Sequence, residues 1–272
     1  GWIPDNYFGY IVAPKINKNI GGIANIKTLS KKILNTELFP DKFYLIDNMI
    51  YDSKFNIIDS SIVKQKLFED ENEYFLKMDN SNQGKGIIKI TKENFDLQGL
   101  CKLQSDAVIQ ESIKQADWFN EIISGSVATI RITTVKNKYG SIKNAGAFLR
   151  VGRKGHEYIK AGKGIRIPIV SNEGALAEYG ISSGWQRHSI HPDSGFVFSG
   201  QKIPYFKKAV NECLALHKKI PHFSIIAWDV STTNDGEIKI MEWNAKHPGV
   251  NIIEATLGPF FKGLGWEKLW RY

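Results

Sequence analysis

The sequence predicts an α+β fold built from antiparallel strands that pair with their neighbours along the chain. Three hairpin patterns support this prediction. The first lies at 73–91, where two strand-like segments flank a glycine-bearing turn. The second joins the β-rich segments 126–135 and 142–151, and the third crosses Asn234-Asp235-Gly236, a strong turn signal. Strands in meanders with helices on one face favour α+β over a doubly wound parallel sheet.

Helical patterns separate these strands. Residues 26–37 carry apolar side chains at helical spacing, and a longer amphipathic pattern covers 203–221. The remaining predicted elements are two helices, within 60–70 and 94–104, and two strands, within 42–52 and 106–113. We therefore expect a first part that mixes helices and strands, followed by a β-rich part with one long helix.

The composition is that of a globular protein, with 42% hydrophobic and 24% charged residues among 272. We expect no transmembrane segment, because no apolar run approaches the roughly 18 residues that one needs. The opening GWIPDNYFGY lacks the basic and apolar regions of a signal peptide. Two distant cysteines indicate a reducing compartment and no disulfide framework. These observations predict a cytoplasmic protein.

The formal charge of +8 is compatible with nucleic acid, an anionic membrane face or a phosphorylated ligand as partner. Lysine and arginine are scattered along the chain, which favours a solvated cationic surface or a small anionic ligand. We expect no nucleic-acid partner, because no platform of alternating aromatic and basic residues is visible.

Two carboxylates and an amide form the sharpest constellation. Asp229 lies on one predicted strand, and Glu242 and Asn244 lie on the next, with the turn roughly central between them. Paired strands would bring these side chains together on one face, since residues two apart share a face. Three oxygen ligands suit Mg²⁺. The alternative is a pair of solvated acids on an exposed hairpin.

A lysine and a glycine-bearing turn form a second candidate site. Lys77 ends an apolar strand, where a buried ammonium group is costly unless it meets an anion. The turn Gly84-Lys85-Gly86 follows, and glycines allow backbone N–H groups to approach phosphate oxygens. The pattern is not a P-loop, because it joins two strands instead of opening a helix. The alternative is an ordinary hairpin with a flexible tip.

Together these pieces resemble the ATP-grasp superfamily from about residue 25 to 255. The 13 positions between Asp229 and Glu242 are similar to the spacing in D-alanine–D-alanine ligases, a more distant resemblance. Several motifs resemble more narrowly the sugar-transfer-associated ATP-grasp proteins of bacterial polysaccharide loci. These motifs are TIRITTV, AGAFLR, KAGKGIRI, HPDSG and AWDVSTTNDGEIKIMEWN.

The resemblance implies two α+β lobes with ATP sandwiched between antiparallel sheets. It divides the chain into an N-terminal segment (1–26), an N-lobe with the phosphate loop (27–115) and a C-lobe with the metal and acceptor site (116–272). The residues it assigns to ATP are Lys27, Lys77, Gly84, Lys85, Gly86, Gln110, Glu111, Ser112, Ile113 and Asp117. It assigns Mg²⁺ to Asp229, Glu242 and Asn244.

The sequence departs from the D-alanine ligase pattern at Ala227, where those enzymes often have an arginine two residues before the aspartate. The positive charge for phosphoryl transfer must then come from elsewhere. The candidates are Arg131, Arg150 and Arg166.

The resemblance implies an ADP-forming ligase that activates a carboxylate as an acyl phosphate, which an amine then attacks. The expected partners are a small-molecule carboxylate and an amine, such as an amino acid, sugar or sugar acid used in surface polysaccharide assembly. A homo-oligomer is compatible with the sequence. Two alternatives stay open: a phosphotransferase that acts on a hydroxyl group, and a non-catalytic nucleotide-binding protein.

Overall fold

The computed structural model describes residues 2–70, 73–81, 86–159, 162–259 and 261–271. Two compact units divide the chain. The smaller unit is Asn25–Lys114, and the larger unit combines Gly1–Ala24 with Gln115–Tyr272. The N-terminal residues thus belong with the larger unit, whereas the sequence pattern treats 1–26 as a segment of its own.

The smaller unit is a five-stranded antiparallel sheet with three short helices. Its strands are β1 (Asp41–Ile46), β2 (Met49–Asp52), β3 (Glu73–Met78), β4 (Ile87–Thr91) and β5 (Ala107–Glu111), in the order β2-β1-β5-β3-β4. Its helices are α3 (Lys27–Leu34), α4 (Val63–Leu67) and α5 (Leu97–Cys101). Alternation along the strands puts Leu45, Leu76 and Ile109 into the hydrophobic core on one face.

The larger unit is a seven-stranded antiparallel sheet in the order β10-β9-β8-β7-β6-β11-β12. The strands are β6 (Thr129–Lys136), β7 (Ile142–Val151), β8 (Ile165–Pro168), β9 (Gly180–Ile181), β10 (Arg187–His188), β11 (Ile225–Thr232) and β12 (Ile238–Asn244). The helices are α1 (Asp5–Tyr7), α2 (Ala13–Ile16), α6 (Asp117–Ile122), α7 (Phe206–Lys219) and α8 (Asn251–Leu257). A π-helical turn, Phe8–Val12, joins α1 to α2, and 3₁₀ turns form at Gly21–Asn25 and Trp266–Arg271.

Both sheets are antiparallel, so the predicted α+β class is confirmed. The three predicted hairpins form as β3–β4, β6–β7 and β11–β12. Within the described ranges, no helix is long and apolar enough to cross a membrane.

Asn17 attaches the N-terminal segment to the larger sheet. Its side-chain amide donates to the carbonyl oxygens of Ile225 and Ala245, at 3.0 and 2.7 Å, and its oxygen accepts the Ser224 amide at 2.8 Å. Gly21 passes so close that a Cβ there would lie 2.4 Å from the Ala245 carbonyl oxygen. Glycine at this position lets the two backbones meet.

Helix α7 packs on one face of the larger sheet, and a series of buried hydrogen bonds links the helix to the strands. His217 Nδ1 lies 2.7 Å from the Thr134 hydroxyl, and Nε2 lies 3.1 Å from the Phe223 carbonyl oxygen. Nε2 therefore donates to the carbonyl, and Nδ1 accepts from Thr134, whose oxygen accepts the Trp228 indole N–H at 2.9 Å. In this arrangement the imidazole is neutral, and both of its ring nitrogens have a hydrogen-bond partner.

Acid should weaken the larger unit through His217. Burial lowers the pKa of this ring from 6.5 to about 4 in the folded protein. Between pH 6.5 and about 4, His217 binds a proton in the unfolded chain but stays neutral in the folded protein. The contribution of neutral His217 to the free energy of unfolding is therefore complete above pH 6.5 and is lost as the pH falls toward 4. We expect this group to cost about 3 kcal/mol across the window.

Urea unfolding across this pH range measures the effect. His217→Gln should flatten the pH dependence relative to the parent, while His222→Gln, at an exposed site in the following loop, should retain the parental slope. An unchanged slope in His217→Gln would contradict the assignment.

Candidate active site

Charged side chains occupy the face of the larger sheet that lies opposite α7. Asp229 on β11 pairs in register with Arg131 on β6 and with Glu242 on β12, so the three side chains share one face. Arg150 on β7 pairs with Arg166 on β8 in the same way. The sheet thus assembles five charged residues that are widely separated in sequence.

A β-bulge turns the metal-candidate residues toward this face. Ile238 and Ile240 are buried, and strict alternation from them would bury Glu242 as well. The register instead shifts, so that Val230 pairs with Ile240 while Asp229 pairs with Glu242, leaving Met241 unpaired. The extra residue reverses the alternation. Trp243 consequently packs in the core against Trp228, with ring centroids 6.2 Å apart.

Asp229 is held by two arginines. Arg131 Nε and Nη2 donate to its two carboxylate oxygens at 2.6 and 2.5 Å, and Arg150 Nη1 donates to Oδ2 at 3.3 Å. Asp229 is only 3% exposed, so this pair is a buried one. Burial alone would raise the pKa of the Asp229 carboxyl, but the charges of Arg131 and Arg150 hold it below its ordinary value.

Glu242 and Asn244 form the accessible edge of the cluster. The Glu242 side chain is 38% exposed, and its Oε1 lies 3.9 Å from Arg131 Nη2. The Asn244 amide donates to the same oxygen at 3.3 Å. The predicted set of Asp229, Glu242 and Asn244 is therefore brought together on one face.

The donor chemistry of this set fits Mg²⁺, since carboxylate and amide oxygens are hard ligands. In the described part of the chain, no three histidine, cysteine, aspartate or glutamate side chains cluster. A cation here would rest on two carboxylates, one of them already paired with arginines, and on the Asn244 oxygen.

Arg166 extends the positive row without touching Asp229. Its Nη2 donates to the Ser182 carbonyl oxygen at 3.1 Å. Burial lowers the pKa of its guanidinium, and neighbouring Arg150 is affected in the same direction for the same reason. Both stay protonated near neutral pH, because an arginine loses its proton only at very high pH.

In the smaller unit, Lys77 and Gln110 lie on the sheet face opposite the hydrophobic core. Gln110 Nε2 donates to Asp41 Oδ1 at 2.7 Å, and the Tyr44 hydroxyl donates to Oδ2 at 3.0 Å. Burial raises the pKa of Asp41, while these bonds and the charge of Lys77 oppose the rise. Sequence reasoning missed Asp41 and Tyr44, because nothing in their local pattern marks them as buried polar partners.

Lys27 and Gly86 lie at the base of the predicted glycine turn. Lys27 Nζ donates to the carbonyl oxygens of Met78 and Ser81, at 2.9 and 3.0 Å. Gly86 has a φ of +78°, and a Cβ there would lie 2.8 Å from side-chain atoms of Met78 and Ser81. Gly84 and Lys85 lie outside the described residues.

The remaining predicted nucleotide residues have structural partners of their own. The Glu111 amide donates to the Pro40 carbonyl oxygen at 2.9 Å, and the Ser112 hydroxyl donates to Glu73 at 3.0 Å. Ile113 follows them, half-buried. Asp117 begins α6, and its carboxylate accepts the Asn234 amide at 3.0 Å.

A family model matches the part of the sequence that contains these charged residues. The sequence model described as "Sugar-transfer associated ATP-grasp" matches residues 67–262, well over half of the chain. The chain belongs to this ATP-grasp family. Asp229, Glu242, Asn244 and the three arginines all lie within the matched residues. Among curated proteins, no sequence matches the chain.

Solved ATP-grasp structures share the fold. Biotin carboxylase from Campylobacter jejuni superposes with a TM-score of 0.51 at 9% identity, over 85% of this chain and 41% of that one. A second match is the biotin carboxylase domain of Hydrogenobacter thermophilus 2-oxoglutarate carboxylase, which was solved with MgADP. Its TM-score is 0.50 at 13% identity, and the match covers 85% of this chain and 42% of that one. D-alanine–D-alanine ligase from Bacillus anthracis gives 0.47 at 14% identity, over 92% and 65%.

At these identities, the two biotin carboxylase superpositions show the fold alone. Moreover, the chain spans less than half the length of the first structures it matches, two N5-carboxyaminoimidazole ribonucleotide synthetases covered over 44% and 48%.

Removing the charge of Asp229 should destabilise the folded protein. Asp229→Asn leaves the buried Arg131 guanidinium without its counter-ion, and we expect a loss of about 3 kcal/mol in the free energy of unfolding. Asp193→Asn is the matched control, because Arg153 pairs with Asp193 in the same two-bond geometry, at 2.6 and 2.8 Å, near the surface. There we expect about 1 kcal/mol or less. Equal losses in urea unfolding of the two variants would contradict the importance of burial.

Proposed function

We propose that this protein is an ATP-dependent carboxylate–amine ligase that forms ADP by way of an acyl phosphate. The arrangement that supports the proposal is the arginine–carboxylate cluster on one face of the larger sheet. Two carboxylates and an amide oxygen offer a cation site, and three arginines beside them offer positive charge to an anion. Few tasks other than handling a metal-bound polyphosphate require both in one place.

In the proposed reaction, a substrate carboxylate oxygen attacks the γ-phosphorus of ATP, and ADP leaves. An amine then attacks the acyl carbon, and phosphate leaves. Arg131, Arg150 and Arg166 would hold phosphoryl and carboxylate oxygens by charge-assisted hydrogen bonds. Mg²⁺ held by Asp229, Glu242 and Asn244 would neutralise phosphate charge. The reaction needs no nucleophile from the protein.

We assign the nucleotide contacts of the smaller unit to Lys27, Lys77, Gly86 and the segment 110–113. Lys77 is buried beside Asp41 on the face free of the hydrophobic core, where an ammonium group can meet a phosphate. Asp117, Gly84 and Lys85 complete the proposed set. The family description supports a substrate from sugar-transfer chemistry, and we propose an amino acid or sugar acid of surface polysaccharide assembly.

Trapping with hydroxylamine tests the reaction class. Parent protein is incubated with Mg-ATP, hydroxylamine and a panel of amino acids and sugar acids. An acyl phosphate yields a hydroxamate, which ferric iron detects, and ADP appears in equal amount. ADP formed on hydroxyl substrates without hydroxamate would favour the phosphotransferase alternative, and nucleotide binding without any turnover would favour a non-catalytic protein.

Glu242→Gln should abolish turnover while the fold is kept. The side chain is partly exposed and nearly isosteric with glutamine, so packing changes little. The variant removes one negative charge from the proposed cation site, and we expect a rate loss of about two orders of magnitude or more.

ATP consumption and circular dichroism of both proteins measure this result. Glu237→Gln, at an exposed position of the same hairpin, should keep parental turnover. Near-parental turnover in a folded Glu242→Gln variant would rule out the metal assignment.

Lys77→Ala should weaken ATP binding by about tenfold or more, as expected for the loss of a charge-assisted hydrogen bond. Lys64→Ala removes the same charge from the exposed face of α4, within the same unit, and should bind ATP like the parent. Titration calorimetry with ATP compares the three proteins. Equal affinities would remove Lys77 from the phosphate site.

A further inference from the structure

We propose that Arg131 closes the carboxylate site to a free divalent cation and opens it only to a cation that arrives with a polyphosphate. This inference rests on the proposed function, since it concerns the same carboxylates. Metal binding and nucleotide binding are then coupled through one side chain, a property that neither the set of oxygen ligands nor the family description implies.

The closure follows from how completely Asp229 is occupied. Its two oxygens accept three hydrogen bonds, two from Arg131 and one from Arg150. A carboxylate offers about four lone-pair sites, so little is left for a cation. A cation must therefore displace a well-made ion pair in order to use this carboxylate.

The charge of the cluster opposes a lone cation. Arg131, Arg150 and Arg166 carry three positive charges, and Asp229 and Glu242 carry two negative ones, which leaves a net positive site. A divalent cation alone would add to this excess at short range, where the weak dielectric screening makes repulsion large. A cation chelated by a nucleoside triphosphate is part of an anion, and that anion is attracted.

Arg131 is suited to change partners. The planar guanidinium matches carboxylate and phosphate oxygens equally, with two parallel N–H groups. An arriving phosphate can take over the fork from Asp229 and free the carboxylate for the cation. Gly249 lies beside Arg131 Nη1, where a Cβ would lie 3.4 Å from this nitrogen, so glycine adds no side chain at that point.

Binding of Mn²⁺, followed by the loss of its free paramagnetic resonance signal, tests the inference without any turnover. The parent should bind Mn²⁺ poorly alone, and with a non-hydrolysable ATP analogue it should remove more free Mn²⁺ than the analogue does without protein. Arg131→Met should bind Mn²⁺ alone about tenfold or more tightly than the parent does. The double variant Arg131→Met/Glu242→Gln should lose this gain, which places the bound ion at the cluster.

Two further variants keep the test decisive. Arg150→Met removes one positive charge but leaves the two-bond contact of Arg131 intact, so it should fold and show a smaller gain in Mn²⁺ affinity. Arg153→Met, at the exposed pair with Asp193, is the control and should bind like the parent. If Arg131→Met does not fold, Arg131→Lys replaces it: lysine keeps the charge but cannot donate two parallel hydrogen bonds to Asp229, so free Mn²⁺ should bind more tightly than in the parent.

The outcomes separate the two proposals. A parent that binds Mn²⁺ equally well with and without the analogue overturns the inference but not the proposed function. The same holds if neither arginine variant gains affinity for the free ion. A parent that binds no Mn²⁺ even with the analogue overturns both.

Discussion

The buried ion pair between Arg131 and Asp229 is the contact on which the rest of the site depends. The two residues lie on the adjacent interior strands β6 and β11, so their pairing is tied to the register of the sheet. Burying both charges is costly, and only a geometry with full hydrogen bonding offsets that cost. The two-bond contact, supplemented by Arg150, provides that geometry. Strand β12 then sets the positions of Glu242 and Asn244, and strand β8 sets the position of Arg166.

The two faces of the larger sheet have separate tasks. On one face, α7 and the stacked indoles of Trp228 and Trp243 supply the apolar packing that stabilises the unit. The other face carries the charged groups that would be intolerable in such a core. The bulge at Met241 keeps these tasks apart within a single strand, because Ile240 and Trp243 both reach the core although they are three residues apart.

Much of this could be predicted from local sequence. The three hairpins and the long helix follow from turn residues and hydrophobic periodicity, which act over a few residues, and the last hairpin places Asp229 and Glu242 on neighbouring strands. The Arg131–Asp229 contact spans 98 positions, and nothing local selects Asp229 as the partner. The bulge at Met241 depends on how β11 and β12 fit together, so strict alternation mispredicts the direction of Glu242. The hydrogen bonds of Asp41 with Gln110 and Tyr44 could not be predicted for the same reason, because burial is a property of the folded sheet.

The attachment of Asn17 has a consequence for the order in which the chain acquires structure. The smaller unit is one continuous stretch, whereas the larger unit is assembled from both ends of the sequence. Asn17 contacts strand β11 at a sequence separation of 208, and Phe8 stacks on Phe261. During synthesis Phe8 and Asn17 must therefore remain without these partners until Phe261 and Ile225 have been made. The smaller unit needs no such wait, because its sheet and core are complete as soon as its own residues have emerged. The smaller unit can thus be complete while Phe8 and Asn17 still lack their partners, and the arginine–carboxylate site forms only after β12 has been made.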